Sequence, residues 1–310
     1  MMYTFTALKI IVAFVGLLAL YYIHSKLSEK VVNNFQVSEP WVAANELVLL
    51  TGGSGGIGRQ IMEDLSYNGV RVVILDVKQP PFELPKNVTF YQTDITSSTS
   101  LSETATFIRK EHGDPTIIIN NAGVFHHGSI LEKSEKDLRQ TFDVNTVSHF
   151  LIMKEFLPDL ISKNRGHVVT IASIASFVAV GEMVDYCCSK ASALAFHEGL
   201  RQELKFWYNA PNVRTSIVHP NWVMTPLIKG FTQHQGEFGQ KLMTPQVVSD
   251  AVLEHIFKRQ SGQIVLPKHL GLAGSIRGFP IWLQEPIRSF LSNIVRRVSY
   301  VRSTDKRVTL

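Results

Sequence analysis

Cysteine is almost missing from this chain: 310 residues contain 2, the neighbours Cys187 and Cys188. Adjacent cysteines are poorly placed to bond each other, so there is no disulfide framework and a reducing compartment suits the protein. Metal ligands are equally scarce. The one suggestive pair, His126-His127, points its side chains apart, and no carboxylate or thiol cluster completes a site, so no metal is expected. Internal repeats and low-complexity tracts are also missing, which leaves a globular chain long enough for one large α/β domain with extensions.

Excess charge is confined to the end of the chain. Residues 270–310 carry Lys or Arg at 277, 288, 296, 297, 302, 306 and 307 against Glu285 and Asp305, a balance of +5 that equals the net charge of the whole protein. No recognised nucleic-acid-binding module accompanies this cluster, so nucleic acid is not an expected partner. Pro286 suits the first turn of a helix with Ile287, Phe290, Leu291, Ile294, Val295 and Val298 on one face and Arg288, Ser292, Asn293, Arg296 and Arg297 on the other. Such a basic amphipathic tail can lie in an anionic membrane surface, cover a substrate entrance or pack on its own domain.

There is one long apolar run, Ile10 to Ile23, preceded by Lys9 and ending in a tyrosine pair. A bilayer span needs about 20 apolar residues, so the run is barely long enough. Its start lacks a basic region, and Tyr21 to Lys26 offers no small-x-small cleavage site, so a retained membrane anchor over residues 1–25 is expected, with 26–45 as linker. Lys26 and Lys30 favour a cytosolic position for the domain after the linker, and the sequon Asn87-Val88-Thr89 would be used only in the opposite orientation.

The remaining chain is organised around Thr51 to Gly58, TGGSGGIG, between the strand-like Glu46 to Leu50 and a helix with apolar spacing at Ile61, Met62 and Leu65. Glycines there let a phosphate approach the backbone at a helix N-terminus. The same residues read as GxSxG, with Ser54 as the nucleophile of a hydrolase elbow. Dinucleotide binding requires an acidic residue about 20 positions on, at the end of the next strand, and Asp76 closes Arg71 to Leu75 there. A third strand, Val88 to Gln92, leads to Asp94, which reads equally as a partner for an adenine amino group or as the cap of a helix starting near Ser97. Pro115 to Ile119 makes a fourth, buried strand, and the strand-helix alternation predicts a parallel sheet.

Beyond this point the motifs become specific. Asn120-Asn121-Ala122-Gly123 after the fourth strand, Asn145 in the next helix, Ser173 after a fifth strand, and Tyr186 with Lys190 in a YxxxK spacing resemble the short-chain dehydrogenase/reductase family, as does TGxxxGxG at Thr51, Gly52, Gly56 and Gly58. The resemblance covers about residues 46–267, replaces the hydrolase reading, and implies one Rossmann-type doubly wound parallel sheet of seven strands with helices on both faces. It also implies hydride transfer between a nicotinamide and an alcohol or ketone. Tyr186 would exchange the proton, Ser173 would polarise the substrate oxygen, Lys190 would hold the nicotinamide ribose, and Asn145 would support a proton path. Four residues apart on a helix, Lys190 and Tyr186 share a face, so the ammonium is expected to lower the tyrosine pKa.

The dinucleotide surface implied in this way comprises Thr51, Gly52, Ser54, Gly56, Ile57, Gly58, Asp76, Asp94, Asn121, Ala122, Gly123, Tyr186, Lys190, Pro220, Val223 and Thr225. At Asn221 the chain departs from the family's usual glycine, a change that asparagine's tolerance of left-handed angles would accommodate. A carboxylate at Asp76 favours NAD over NADP, while Arg59 and Lys78 leave NADP open. The apolar Ile174 to Met183 and the loop from Pro226 through Phe231 point to a lipophilic substrate, although Phe177, Val178 and Val180 also suit core or a subunit contact. Together with the anchor, NNAGVFHHGSI and DYCCSKASALAFHEGL resemble the membrane-associated branch of retinol and 17β-hydroxysteroid dehydrogenases of the endoplasmic reticulum and lipid droplets. That implies a membrane or droplet surface as partner, with a homodimer compatible with the family. The reading from another class is a cofactor-binding scaffold without turnover.

Overall fold

The computed structural model describes residues 2–229 and 241–308. Expectations for Phe231, and for the side chains of Lys9, Val298, Arg302, Lys306 and Arg307, lie outside the described residues. Seven parallel strands, β1 (Leu47–Thr51), β2 (Arg71–Asp76), β3 (Val88–Gln92), β4 (Ile117–Asn120), β5 (Gly166–Ile171), β6 (Val213–Pro220) and β7 (Gly262–Leu266), form one sheet in the order β3-β2-β1-β4-β5-β6-β7. The direction of winding reverses between β1 and β4, which opens a crevice at the carboxyl ends of the strands.

Both faces of the sheet are covered, which is why the strand sequences are apolar without alternation. Leu47 and Leu49 of β1 face a core shared with α3 (Ser98–His112), α5 (Ser148–Ser162) and α6 (Val184–Phe206). Val48 and Leu50 face the other core, with α2 (Gly56–Tyr67) and α7 (Pro245–Phe257). Truncating a side chain such as Leu49, which is 0% exposed, to alanine costs about 2–5 kcal/mol. Between α3 and α5 lie β4, the short α4 (Glu135–Phe142) and a π-helical turn, Asp143–Val147.

The first helix, α1, runs from Met2 to Val32, past the expected end of the anchor. Phe14, Val15, Leu18, Leu20, Tyr22, Ile23 and Leu27 are exposed on it, yet among the described residues no helix is long and apolar enough to cross a membrane. The segment expected to be a linker is stitched to the amino ends of β6 and β7, opposite the crevice. Arg214 donates to the Asn33 carbonyl at 2.8 Å, the Ser261 N–H donates to Asn33 Oδ1 at 2.8 Å, and the Ser38 hydroxyl donates to the Arg259 carbonyl at 2.8 Å.

At the other end, a 3₁₀ segment (Lys268–Gly278) leads into α8 (Ile281–Val308). The helix starts earlier than expected, with the Leu283 and Gln284 N–H groups on the Pro280 carbonyl, so Pro286 falls inside it and removes one internal hydrogen bond. Of the placements open to the tail, two are seen together: its apolar face packs on the domain and lines the cavity. Val295 packs with Ala175, Met183 and Cys187, while Ile287 and Leu291 lie against Phe177, Val178 and Ile276. Arg277 fastens the segment by donating to the Ser176 and Phe177 carbonyls, both at 3.1 Å.

Candidate active site

The crevice begins at the glycine turn. Gly52 and Gly56 hold φ of +70° and +56°, which a side chain would resist, and a Cβ on Gly58 would lie 2.2 Å from the Gly52 carbonyl oxygen. Close packing of Gly58 therefore sets the first turn of α2, with its unpaired N–H groups, into the crevice. Thr51 and Asn121 brace this turn against the one after β4. Thr51 Oγ1 accepts from the Asn121 and Ala122 N–H groups at 3.0 Å, and Asn121 Nδ2 donates to the Thr51 and Gly52 carbonyls at 2.9 and 3.1 Å.

At the end of β2, the Asp76 carboxylate accepts from the Ser54 and Lys78 N–H groups, each at 3.1 Å, and keeps a lone pair on each oxygen toward the crevice. That donor and acceptor set fits the phosphates and ribose diol of a dinucleotide. The Ser54 hydroxyl donates to the Lys78 carbonyl at 2.7 Å, with no imidazole among its partners, so it is not arranged as a nucleophile. The capping alternative for Asp94 is corrected: Ser97 caps α3, accepting from the Ser100 N–H at 3.2 Å. Asp94 Oδ1 instead accepts from the Thr96 N–H and hydroxyl at 2.9 and 2.7 Å, and the exposed carboxylate lies in the crevice wall.

Deeper in, Ser173, Tyr186 and Lys190 converge. Ser173 lies close enough to the Tyr186 hydroxyl to favour its ionised form, while its own Oγ accepts from the Ala175 N–H at 3.1 Å and reaches the Pro220 carbonyl at 3.4 Å; its backbone carbonyl lies 3.1 Å from His219 Nδ1. Burial pushes Tyr186 up to about 12, more than Ser173 lowers it. Burial, not the Lys190 ammonium, is the largest influence on the tyrosine. Lys190 Nζ lies 5.7 Å from the Tyr186 ring centroid and donates to the Ile171 carbonyl at 3.0 Å, while burial lowers the lysine itself to about 8. Tyr186 thus holds its proton at neutral pH.

Asn145 sits in the π-helical turn, 0% exposed. Its amide accepts from the Val124 N–H at 2.8 Å and donates to the Val124 carbonyl at 2.9 Å and to Ser189 Oγ at 3.0 Å. Both amide hydrogens are spent, so the side chain clamps the Val124 segment to α6. Pro220, Val223 and Thr225 line the crevice. Asn221 does not adopt a left-handed backbone: its N–H continues the β6–β7 ladder onto the Leu266 carbonyl at 2.8 Å, so no glycine is needed.

One cavity of about 1730 Å³ joins these groups to a second, apolar end. Pockets for single small ligands hold roughly 300–1,000 Å³, so a dinucleotide and a further molecule have room side by side. The far walls are Val178, Val180 and Met183, with Ile276, Ile287, Leu291, Ile294 and Val295 from the tail. Phe177, in contrast, is core: its ring stacks 4.4 Å from that of His219. The contribution of Leu270, Ala273 and Ile276 was not visible in the sequence, where the 3₁₀ segment carries no helical or strand periodicity. Of the His126-His127 pair, His126 contacts Gln140 Oε1 at 3.1 Å and His127 pairs with Glu182 at 2.7 Å.

A family model described as short chain dehydrogenase matches residues 46–236. The chain is 39% identical over 217 residues to "Dehydrogenase RED2" of Cochliobolus heterostrophus, covering 69% of this chain and 81% of that one. It is 30% identical over 264 residues to "Estradiol 17-beta-dehydrogenase 11" of Rattus norvegicus, covering 83% and 85%. Human "17-beta-hydroxysteroid dehydrogenase 13" is 32% identical over 199 residues, covering 62% and 65%. Among solved structures, a ligand-free aldohexose dehydrogenase from Thermoplasma acidophilum superposes with a TM-score of 0.65 at 25% identity, covering 73% of this chain and 94% of that one.

Proposed function

This chain belongs to the short-chain dehydrogenase family, as an NAD(P)-dependent oxidoreductase of alcohols and ketones, and from that premise we propose that its substrate is a lipophilic alcohol or ketone met at a membrane or lipid-droplet surface. The observation that carries the reading is the apolar end of the cavity, walled by Val178, Val180 and Met183 and closed by the apolar face of α8. The steroid named for two relatives is a molecule of suitable shape and polarity.

In this reading a nicotinamide dinucleotide, held by the Gly52–Gly58 turn, Asp76 and Lys190, supplies or accepts the hydride. Tyr186 carries the proton at its hydroxyl, and the high pKa suits donation to a substrate oxygen during carbonyl reduction. Ser173 stabilises charge on that oxygen. Asn145 positions the Val124 segment and α6 rather than moving a proton through its side chain. NAD is the preferred cofactor, because Asp76 repels a 2′-phosphate and Arg59 is engaged elsewhere, paired with Glu63 at 2.7 Å and stacked 4.3 Å above Phe82.

The surface contact would come from exposed Ile281, Trp282 and Phe290 beside Arg288, Arg296 and Arg297, and from the exposed apolar residues of α1. Retinoids, steroids and long-chain alcohols and ketones, offered to detergent-solubilised protein with NAD or NADP, test the reading by nicotinamide absorbance. Turnover that rises with the apolar bulk of the substrate is expected; efficient turnover of small polar alcohols alone would overturn it.

A further inference from the structure

The stretch after β4, residues 124–133, begins on the cavity wall with Val124, Phe125 and His126 and crosses to α6, and Phe125 presents its ring edge-on at 5.2 Å from the Tyr186 ring. Three contacts tie this crossing to the residues that start α6. His127 Nε2 lies 2.7 Å from Glu182 Oε2, the Gly128 N–H donates to the Glu182 carbonyl at 3.1 Å, and Lys133 Nζ pairs with Asp185. Only the last of these is buried, with the Lys133 and Asp185 side chains 6% and 4% exposed. Lys133 also donates to the His126 carbonyl at 2.6 Å, and the Thr141 hydroxyl of α4 donates to Asp185 Oδ2 at 3.0 Å.

Two features make this more than a local ion pair. Asp185 immediately precedes Tyr186, so whatever fixes its carboxylate fixes the first turn of α6 and the direction of the tyrosine. Glu182, two residues before α6, holds φ at +62°, a left-handed backbone that a side chain resists and that surrounding contacts must maintain. We infer that Lys133 and Asp185 are positioning residues for proton exchange at Tyr186: their buried pair locks the 124–133 crossing onto α6 and thereby sets the place of Phe125 and the Tyr186 hydroxyl. The inference rests on Tyr186 carrying the proton, but the lock itself is a property of the fold that can be read without turnover.

The test is Lys133→Met/Asp185→Leu in the full chain. It removes both charges together, avoiding a lone buried ion, and the Thr141 hydroxyl can turn its hydrogen to the Asp137 carbonyl, 2.9 Å away. Lys133→Gln/Asp185→Asn serves as the second pair should the first fail to fold. In the folded variant, cofactor affinity should stay within about twofold of wild type, as at an independent site. Exchange of the Gly128 amide should quicken about tenfold or more, and kcat should fall by about the same factor while the cofactor KM holds, because small displacements of reacting groups are costly. Lys133→Arg, which keeps the charge, should restore most of the rate. Unchanged exchange at Gly128, or a kcat per folded molecule equal to wild type, would overturn the inference. A wild type without turnover on any substrate would instead sink the functional reading, and the exchange measurement would still judge the lock.

Discussion

At the dinucleotide end of the cavity the ligand surface is mostly backbone: the Gly52–Gly58 turn, the first N–H groups of α2, and a carboxylate oriented by two further N–H groups. At the substrate end it is mostly apolar side chains from segments far apart in sequence, residues 174–183, 226–228, 270–276 and 287–295. The first surface tolerates almost no change of shape, since one added methyl group strikes the Gly52 carbonyl. The second can exchange one apolar residue for another of similar volume at small cost. A fixed cofactor and a variable substrate call for this division.

The two halves of the sheet also differ in how acid should affect them. His149 and His197, on the helices behind Tyr186, and His167 at the start of β5 are held neutral by burial, each pushed down to about 3. None lies in β1, β2, β3 or α2. A lowered folded pKa means the unfolded chain binds protons first, so stability is full above the unfolded value near 6.5 and is lost as pH falls toward 3. At pH 5.5 the three together should cost on the order of 4 kcal/mol, seen as a fall in Tm between pH 7 and 5.5. A flat Tm over that window would show that this side of the sheet is no more acid-sensitive than the glycine-turn side.

Gly58→Ala strikes the rigid end. Overpacking there should cost about 1–3 kcal/mol, and NADH fluorescence titration should show cofactor affinity lowered by about 10- to 100-fold. Leu291→Asp strikes the adaptable end with a smaller effect. A charge among the apolar walls should raise the KM for lipophilic substrates about tenfold and leave cofactor affinity alone. Loss of cofactor binding in this variant would break the division between the two ends.

The same difference explains what could be read from the sequence. TGGSGGIG, Asp76, NNAG, Ser173 and Tyr186-Lys190 are legible because backbone approach and proton transfer demand fixed residue types at fixed spacing, and the seven-stranded parallel sheet agrees with the apolar strands between them. Asp94 is ambiguous in the sequence because a carboxylate close to a helix start serves a cap or a ligand equally, and only the Ser97 hydrogen bond decides. The effect of Lys190 on Tyr186 is not legible because sharing a helix face does not fix where an ammonium points; here it points at the Ile171 carbonyl. The apolar face of α8 is visible, but its partners Met183, Cys187 and Ile276 are distant in sequence, so nothing local could say what it covers.

The central claim, that a rigid dinucleotide surface and an apolar surface meet at the Tyr186 hydroxyl, is tested most directly by Tyr186→Phe, with NADH binding and turnover measured on the same preparation. Binding should remain within about twofold of wild type, since Phe keeps the ring and its contact with Phe125, while kcat should fall by about 10²–10⁴ with the loss of the proton carrier. Turnover near the wild-type rate would contradict the account, because the proton would then be reaching the substrate from another group.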